Sequence, residues 1–294
     1  MRIVFFGNSK YSSLVAKTLN DKFGLSLVVT NPDKLGGRNR QLIVSPVKQF
    51  SQNNRIPFLT FKKLDQKAIE AIAKYRPDFL VVADYGLILP GKLLDLPKYA
   101  ALNVHHSLLP KYRGPSPIQT AILAGEKKTG VSIILMDDEI DHGPILAREK
   151  ITIAVDDSHK SLEEYLGRIG AKLLIKTLSD YLAGKIKPKP QNHKQAAYTK
   201  FIKKTDGYIY LKDPPDPQTF DRMIRAYYPW PGVWSKWKME NGKWKIIKFL
   251  PRNLIQPEGK KPMTVKEFLN GYPETKDLID KIYPIPTTRN RVRP

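Results

Sequence analysis

The 294-residue sequence contains no cysteine, which excludes a thiol nucleophile, a disulfide framework and a cysteine-ligated metal site. It also lacks any apolar run approaching the roughly 18 residues that a membrane-spanning helix needs. No charged and then apolar leader precedes the first apolar segment, residues 2–7. We therefore expect a cytoplasmic protein that has no membrane partner.

Acidic residues are few relative to basic ones, with 28 Asp and Glu against 50 Lys and Arg and a formal net charge of +22. The imbalance is strongest between residues 34 and 64, where there are seven basic residues and no acid. A strongly positive surface attracts polyanions and makes the encounter sensitive to salt. The charge favours an RNA partner, although a solvated basic surface would have the same composition.

Short apolar runs alternate with segments of helical periodicity over residues 1–150, a pattern typical of a mostly parallel, Rossmann-like α/β sheet. Beyond a long predicted helix, about 158–182, a Lys- and Pro-rich stretch follows that cannot propagate a helix. We predict a catalytic domain at 1–187, a linker at 188–203 and a small basic β-rich domain at 204–294. A hairpin with an Asn-Gly turn, at 233–250, should begin that last domain's sheet, and its end should be a frayed tail.

Three polar residues stand out at the predicted ends of strand-like segments: Asn103, His105 and Asp141. An amide donates hydrogen bonds to an oxyanion, an imidazole accepts a proton, and a carboxylate orients the imidazole. Each residue alone is equally well explained as a strand cap. Together they suit the attack of a neutral amine on a carbonyl-level carbon, at the strand ends where open parallel sheets bind ligands.

Two further histidines, His106 and His142, flank these residues. Strand alternation points His106 to the face opposite His105, so the two adjacent rings cannot share a metal ion. No third ligand has metal spacing, and no metal is expected.

The run Asn103-Val-His-His-Ser-Leu-Leu-Pro-Lys-Tyr-Arg-Gly114, with Asp-His-Gly at 141–143, resembles the 10-formyltetrahydrofolate-dependent formyltransferases. Residues 31–48, the Pro-Trp-Pro-Gly at 229–232 and the segment 256–263 are similar to the members of that family that act on methionyl-tRNA. The resemblance covers roughly residues 2–270. It implies a second domain of the oligonucleotide-binding (OB) type, but too little chain remains after the hairpin for the usual barrel. We expect this OB-like domain to be shortened and open, or its missing strands to be replaced.

The resemblance implies that a formyl group is transferred from 10-formyltetrahydrofolate, a cosubstrate, to the amino group of methionine on initiator Met-tRNA. This reaction belongs to translation initiation, and we expect a monomer. One alternative is a sugar N-formyltransferase that acts on a nucleotide-linked amino sugar. Another is a catalytically inactive RNA-binding relative.

The resemblance also implies a role for individual residues. His105 would assist proton transfer, directly or through a water, Asn103 would donate to the oxyanion, and Asp141 would hold His105. The implied cofactor-binding residues are Ile88, Leu89, Pro90, Ser107, Leu108, Leu109, Pro110 and Asp137. Of these, Ile88 and Leu89 would equally suit core packing. The implied tRNA-binding residues are Lys34, Arg38, Arg40, Arg113, Lys260 and Lys261.

Overall fold

The computed structural model describes residues 1–36, 41–239 and 242–283. Its first elements are β1 (Ile3–Gly7), α1 (Lys10–Phe23), β2 (Leu27–Thr30), β3 (Lys34–Gly36), β4 (Gln41–Ile43), α2 (Pro46–Asn53), β5 (Phe58–Thr60), α3 (Gln66–Ala73), β6 (Phe79–Ala83), α4 (Gly91–Leu94) and β7 (Ala100–His105). They are followed by α5 (Pro117–Leu123), β8 (Lys128–Leu135), β9 (Ile145–Thr152), α6 (His159–Leu182), α7 (Pro217–Tyr227), β10 (Val233–Lys238), β11 (Trp244–Leu250), β12 (Leu254–Pro257), β13 (Met263–Thr264), α8 (Val265–Gly271) and α9 (Lys276–Ile282).

The chain divides into two compact units. The first contains residues 1–118, 127–153 and 162–200, and the second contains 119–126, 154–161 and the residues from 201 onward. Within the described ranges, no helix is both long and apolar enough to cross a membrane.

A seven-stranded sheet with the order β5-β2-β1-β6-β7-β8-β9 forms the centre of the first unit. The strands from β5 to β7 are parallel, and β8 and β9 are each antiparallel to the strand before them. Every residue of β1 and β6 is buried, as expected for central parallel strands covered on both faces. The predicted mostly parallel α/β sheet is confirmed.

The strand order reverses between β1 and β6, and ligands of open α/β sheets bind at such a switch point. Asn8, directly after β1, holds three strand ends together there. Its backbone N–H donates to the carbonyl of Asp84 (3.2 Å), and its Oδ1 accepts from the Thr30 hydroxyl (2.9 Å) and the Asn31 N–H (2.7 Å). The short turn after β1 therefore has a structural role: its hydrogen bonds hold the ends of β1, β2 and β6 together.

Strand β8 runs against β7, so its carboxyl end lies beside the beginning of β7. His105 pairs with Ser132, and the N–H of Met136, just after β8, donates to the carbonyl of Ala101 (2.9 Å). Asn103 pairs with Ile134 inside the strand. We expected all three polar residues at the carboxyl ends of parallel strands, and this is wrong for two of them. Asn103 lies inside β7, and the strand before Asp141, which is β8, is antiparallel to its neighbour.

Most of the stretch predicted as a linker packs within the first unit. Residues Ile145 and Lys189 exchange two backbone hydrogen bonds (2.8 and 2.9 Å), and the N–H of Thr199 donates to the carbonyl of Arg113 (2.7 Å). Gln191 is buried. A proline-rich segment cannot continue a helix, yet its remaining backbone groups can still pair with a neighbouring strand.

The second unit has an open antiparallel sheet whose four strands follow chain order, β10-β11-β12-β13. Residues Val233–Lys238 and Trp244–Leu250 pair as the predicted hairpin; Asn241 of its predicted turn lies outside the described residues, as does the predicted frayed tail from 284. Rings of Phe220 and Phe249 meet edge to face at 5.2 Å in its core. In the described residues, α8 and α9 follow the sheet where a longer barrel would have more strands.

Candidate active site

The carboxylate of Asp141 connects the predicted catalytic residues. Its Oδ1 accepts a hydrogen bond from Asn103 Nδ2 (2.8 Å), and its Oδ2 accepts one from the backbone N–H of Gly114 (2.7 Å). His105 Nδ1 lies 3.4 Å from the same Oδ2. Asn103 and His105 are two positions apart on β7 and therefore face the same side of the sheet. The structure brings the three residues together on this face.

The imidazole of His105 is almost fully buried, and both ring nitrogens face acceptors. Nε2 lies 2.9 Å from the carbonyl oxygen of Tyr112, and Nδ1 faces the Asp141 carboxylate. A carbonyl oxygen can only accept, so Nε2 carries the hydrogen in this arrangement. His106, by contrast, packs its ring on Tyr11 (3.8 Å between centroids), as the strand alternation predicts.

The Ser107–Pro110 segment is tied into the sheet through Ser132. The Ser132 hydroxyl donates to the carbonyl of Ser107 (2.7 Å) and accepts from the N–H of Leu109 (3.1 Å). The side chains of Ser107 and Leu109 are buried, whereas Leu108 and Pro110 are half-buried. Two of the four predicted cofactor-binding side chains in this segment therefore point into the protein and support the loop from within.

An open cleft of about 170 Å³ lies beside the trio. It is lined by Asn103, Ile134, Met136, Asp137, Glu139, Asp141, His142 and Gly143. Two of these side chains form an ordered edge, because His142 Nδ1 lies 2.7 Å from Asp137 Oδ2. The cleft combines an apolar wall with several carboxylates, a lining suited to the polar edge of a flat heterocycle.

The predicted cofactor residues 88–90 divide between core and surface. Leu89 is 3% exposed and packs in the apolar core below the sheet ends, so its prediction as a ligand-facing residue is wrong. Ile88 is 71% exposed, and Pro90 precedes α4. A Cβ on Gly91 would come within 2.8 Å of Asp138 Oδ1, which places this loop against the loop that follows β8.

Two tyrosines near the switch point, Tyr11 and Tyr85, are buried. The Tyr11 hydroxyl donates to the carbonyl of Val104 (3.3 Å), and burial, with the charges of Asp84 and Glu163, raises the pKa of Tyr11 well above 10. Burial also raises the pKa of Tyr85 to about 12 and, with Asp84, raises the pKa of Glu163. Both tyrosines are therefore protonated at neutral pH and do not act as bases.

The predicted tRNA-binding residues differ in their exposure to solvent. Lys34, Lys260 and Lys261 are exposed, whereas Arg113 is buried. Arg38 and Arg40 lie outside the described residues.

Arg113 is the buried residue, and its prediction as a tRNA contact is wrong. It is 1% exposed, and its guanidinium donates to Gln191 Oε1 (2.8 and 3.2 Å), the Tyr198 hydroxyl (3.1 Å) and His193 Nδ1 (2.9 Å). The motif Lys-Tyr-Arg-Gly suggested an exposed basic loop, but the segment 191–198 covers it.

The sequence also did not reveal three contributors to this site. Gln191 was hidden by the composition of the predicted linker, and no local signal marks it. His142 has no predicted role from the sequence, although it lines the cleft and stacks on His193 with ring centroids 4.1 Å apart. Gly114 was quoted in the motif, but the role of its N–H in binding Asp141 could not be read from it.

An Asn–His–Asp trio around one carboxylate, over a mostly parallel sheet, suits enzymes that transfer a group at a carbonyl-level carbon. The family model described as formyl transferase matches residues 1–178. The chain belongs to the formyl transferase family. Among the described residues, no group of three or more side chains could hold a metal ion.

Known proteins resemble the chain beyond that region. It is 35% identical to the methionyl-tRNA formyltransferase of Carboxydothermus hydrogenoformans, over 92% of this chain and 97% of that protein. A sugar N-formyltransferase from Shewanella sp. FDAARGOS_354 has a TM-score of 0.63 at 19% identity, covering 86% and 98% of the two chains. HypX from Aquifex aeolicus, solved in complex with tetrahydrofolic acid, has a TM-score of 0.60 at 15% identity, covering 92% of this chain and 47% of that one. The two solved structures show the shared fold.

Proposed function

We propose that this protein transfers a formyl group from 10-formyltetrahydrofolate to the amino group of methionine on initiator Met-tRNA. The amine nitrogen attacks the formyl carbon, the formyl oxygen becomes an oxyanion, and collapse breaks the bond from the formyl carbon to the folate nitrogen. The amine loses one proton and the folate nitrogen gains one. The observation that carries the proposal is the Asp141 carboxylate joining Asn103, His105 and Gly114.

Asn103 is suited to stabilise the oxyanion. One of its two amide N–H groups is used by Asp141 Oδ1, which fixes the plane of the amide. The other N–H remains to donate to the formyl oxygen as charge develops there, and a fixed donor stabilises a transition state without reorganisation. Asn103 and Asp141 both line the cleft, so the reacting carbon would lie at its inner end.

His105 would move the proton. Nε2 bears the hydrogen that faces the Tyr112 carbonyl. The ring can accept a proton at Nε2 only after a reacting atom has taken the place of that carbonyl and in the tautomer whose hydrogen is on Nδ1, facing Asp141. Asp141, whose Oδ2 lies 3.4 Å from Nδ1, keeps the imidazole oriented during this exchange. The buried ring and the fixed carboxylate would let the proton pass directly or through a water.

The cleft would hold part of the formyl donor. The space that it encloses is small, so it would take one edge of the folate heterocycle rather than the whole molecule. Met136 would contact the face of the ring, and Asp137 would accept hydrogen bonds from its N–H edge. Exposed Ile88 would cover the ring from the neighbouring loop.

The outer face of the hairpin in the second unit is suited to RNA. Lys236 and Lys238 of β10 are exposed there, Trp234 pairs with Lys248, and Lys238 pairs with Trp244, which is 63% exposed. Lysines attract the phosphate backbone, and the exposed indole ring of Trp244 is suited to stack on a base. Lys260 and Lys261, which are exposed in the same unit, would also contact the phosphates of the tRNA.

A formyl-transfer assay with labelled 10-formyltetrahydrofolate tests the proposal. Initiator Met-tRNA, uncharged tRNA and a nucleotide-linked amino sugar are compared as acceptors at the same concentration. We expect label on Met-tRNA alone. Label on the amino sugar would establish the alternative acceptor, and no label on any acceptor would support an inactive RNA-binding relative.

A further inference from the structure

The side chain of Gln191 uses its whole hydrogen-bonding capacity around the active site. Its Nε2 donates to the backbone carbonyls of Asp141 and Gly143, both at 2.8 Å. Its Oε1 accepts from Arg113 Nε (3.2 Å) and Nη2 (2.8 Å). A primary amide has two N–H groups and one oxygen with two lone pairs, and all are engaged here. At 5% exposure, Gln191 is not open to a substrate.

These contacts hold a loop with an unusual backbone. Asp141 has a φ of 49°, in the left-handed region that residues other than glycine seldom adopt. The two carbonyls that Gln191 binds flank the turn at residues 141–143. Pinning both fixes the direction in which the Asp141 side chain leaves the backbone, and so fixes the position of the carboxylate against Asn103 and His105.

Arg113 reaches Asp141 by two routes. Its guanidinium holds Gln191, which holds the backbone of Asp141, and the next residue, Gly114, donates its N–H to Asp141 Oδ2. Arg113 is itself held by backbone hydrogen bonds to Ala197 and Thr199. The backbone and the carboxylate of Asp141 are thus fixed from the same short segment.

We propose that Arg113 and Gln191, which we call the Arg113–Gln191 clamp, are positioning residues that set the geometry of the Asp141 carboxylate for formyl transfer. The inference rests on the proposed function for its reaction, but it assigns the clamp no contact with either substrate. Gln191 acts on the reaction by fixing the position of Asp141. Loss of the clamp should therefore lower kcat and leave the KM of both substrates nearly unchanged.

The variant Gln191→Glu separates the two halves of the clamp. A carboxylate of the same shape keeps the contact with the Arg113 guanidinium, which it strengthens by charge. Its second oxygen faces the carbonyls of Asp141 and Gly143, which cannot donate, so the hold on the active-site loop is lost and replaced by repulsion. Asn192→Asp is the matched control, because it makes the same chemical change one residue away at an exposed position.

The full-length variants are compared in steady-state formyl transfer and thermal melting. A displacement of about 1 Å at a reacting group costs about 10²-fold in rate, so we expect kcat of Gln191→Glu to fall by roughly that factor. Both KM values should stay within about threefold, and Asn192→Asp should match wild type. If Gln191→Glu does not fold, Gln191→Met, uncharged and of similar length, is tested with the same expectation.

A double-variant cycle with Asp141→Asn tests the route of action. If Gln191 works through Asp141, adding Gln191→Glu to Asp141→Asn should slow the enzyme no further, because the effects of residues acting as a unit do not multiply. Multiplying effects, or a kcat of Gln191→Glu within about threefold of wild type, would overturn the proposal. Wild-type activity on Met-tRNA tests the function separately. Should wild type use another amine, the same ratios are measured with that amine.

Discussion

Replacing Asp141 by asparagine removes a charge and one acceptor while keeping the shape of the side chain. Asp141 binds the N–H of Asn103 with one oxygen and the N–H of Gly114 with the other. An amide has a single oxygen, so whichever way it turns, its NH₂ faces one of these two donors. One buried N–H is left unpaired at a cost of about 1–3 kcal/mol.

The rate should fall much more than the stability. The negative charge 3.4 Å from His105 Nδ1 is lost, and the Asn103 amide is no longer fixed. Losing an oriented proton-transfer group or oxyanion donor costs about 10²–10⁴ in rate, and we expect kcat of Asp141→Asn to fall within that range. The melting temperature should drop by less than about 10 °C, and tRNA affinity should be unchanged.

Single-turnover formylation with saturating Met-tRNA and donor measures this effect. Asp138→Asn is the control, since it makes the same change on the same loop at an exposed carboxylate. The control should retain wild-type activity. A rate for Asp141→Asn within about threefold of wild type would refute the reasoning.

Further outcomes follow from other parts of the chain. Arg38 lies outside the described residues, and the resemblance implies that its guanidinium makes two hydrogen bonds to the acceptor end of the tRNA. Lysine cannot make this paired contact, so Arg38→Lys should lose much of the kcat/KM on Met-tRNA at low salt without weakening folate binding. An unchanged kcat/KM would contradict a contact with the acceptor end. Burial lowers the pKa of His159 to about 4, below its usual 6.5, so the unfolded chain binds more protons between these values. Stability should therefore fall as pH drops from about 6.5 to 4, by at most about 1.4 kcal/mol per pH unit, and His159→Gln should remove this slope in denaturant titrations. A fragment 1–200 should bind a formyltetrahydrofolate analogue with near-normal affinity and use Met-tRNA poorly. A fragment 1–187, which lacks Gln191, should melt at a lower temperature than the fragment 1–200. Equal melting temperatures of the two fragments would show that the clamp adds no stability.

Long, regular features of the fold could be predicted from the sequence. The buried runs that form β1 and β6, and the Ser45-Pro46 start of α2, have local causes: apolar side chains on both faces, and a side-chain cap followed by proline. The antiparallel direction of β8 had no such cause. It follows from long-range pairing with β7, and that changed the expected location of Asn103 and Asp141.

In the site, too, the features with a local cause could be predicted and those that depend on long-range contacts could not. Asn103, His105 and Asp141 could be predicted, because their residue types match one chemistry. The buried partners could not, since Arg113 looks like a surface cation and Gln191 like part of a linker until their long-range contacts are known. Leu89 was ambiguous in the sequence, and core packing decided it.

Single-turnover formyl transfer to initiator Met-tRNA by His105→Ala, beside wild type, tests the central claim most directly. The account predicts that wild type forms formyl-methionyl-tRNA and that His105→Ala forms almost none. Binding of a formyltetrahydrofolate analogue should stay within about threefold, because His105 is buried behind the cleft and Asn103 and Asp141 still line it. A His105→Ala rate within about threefold of wild type would contradict the account.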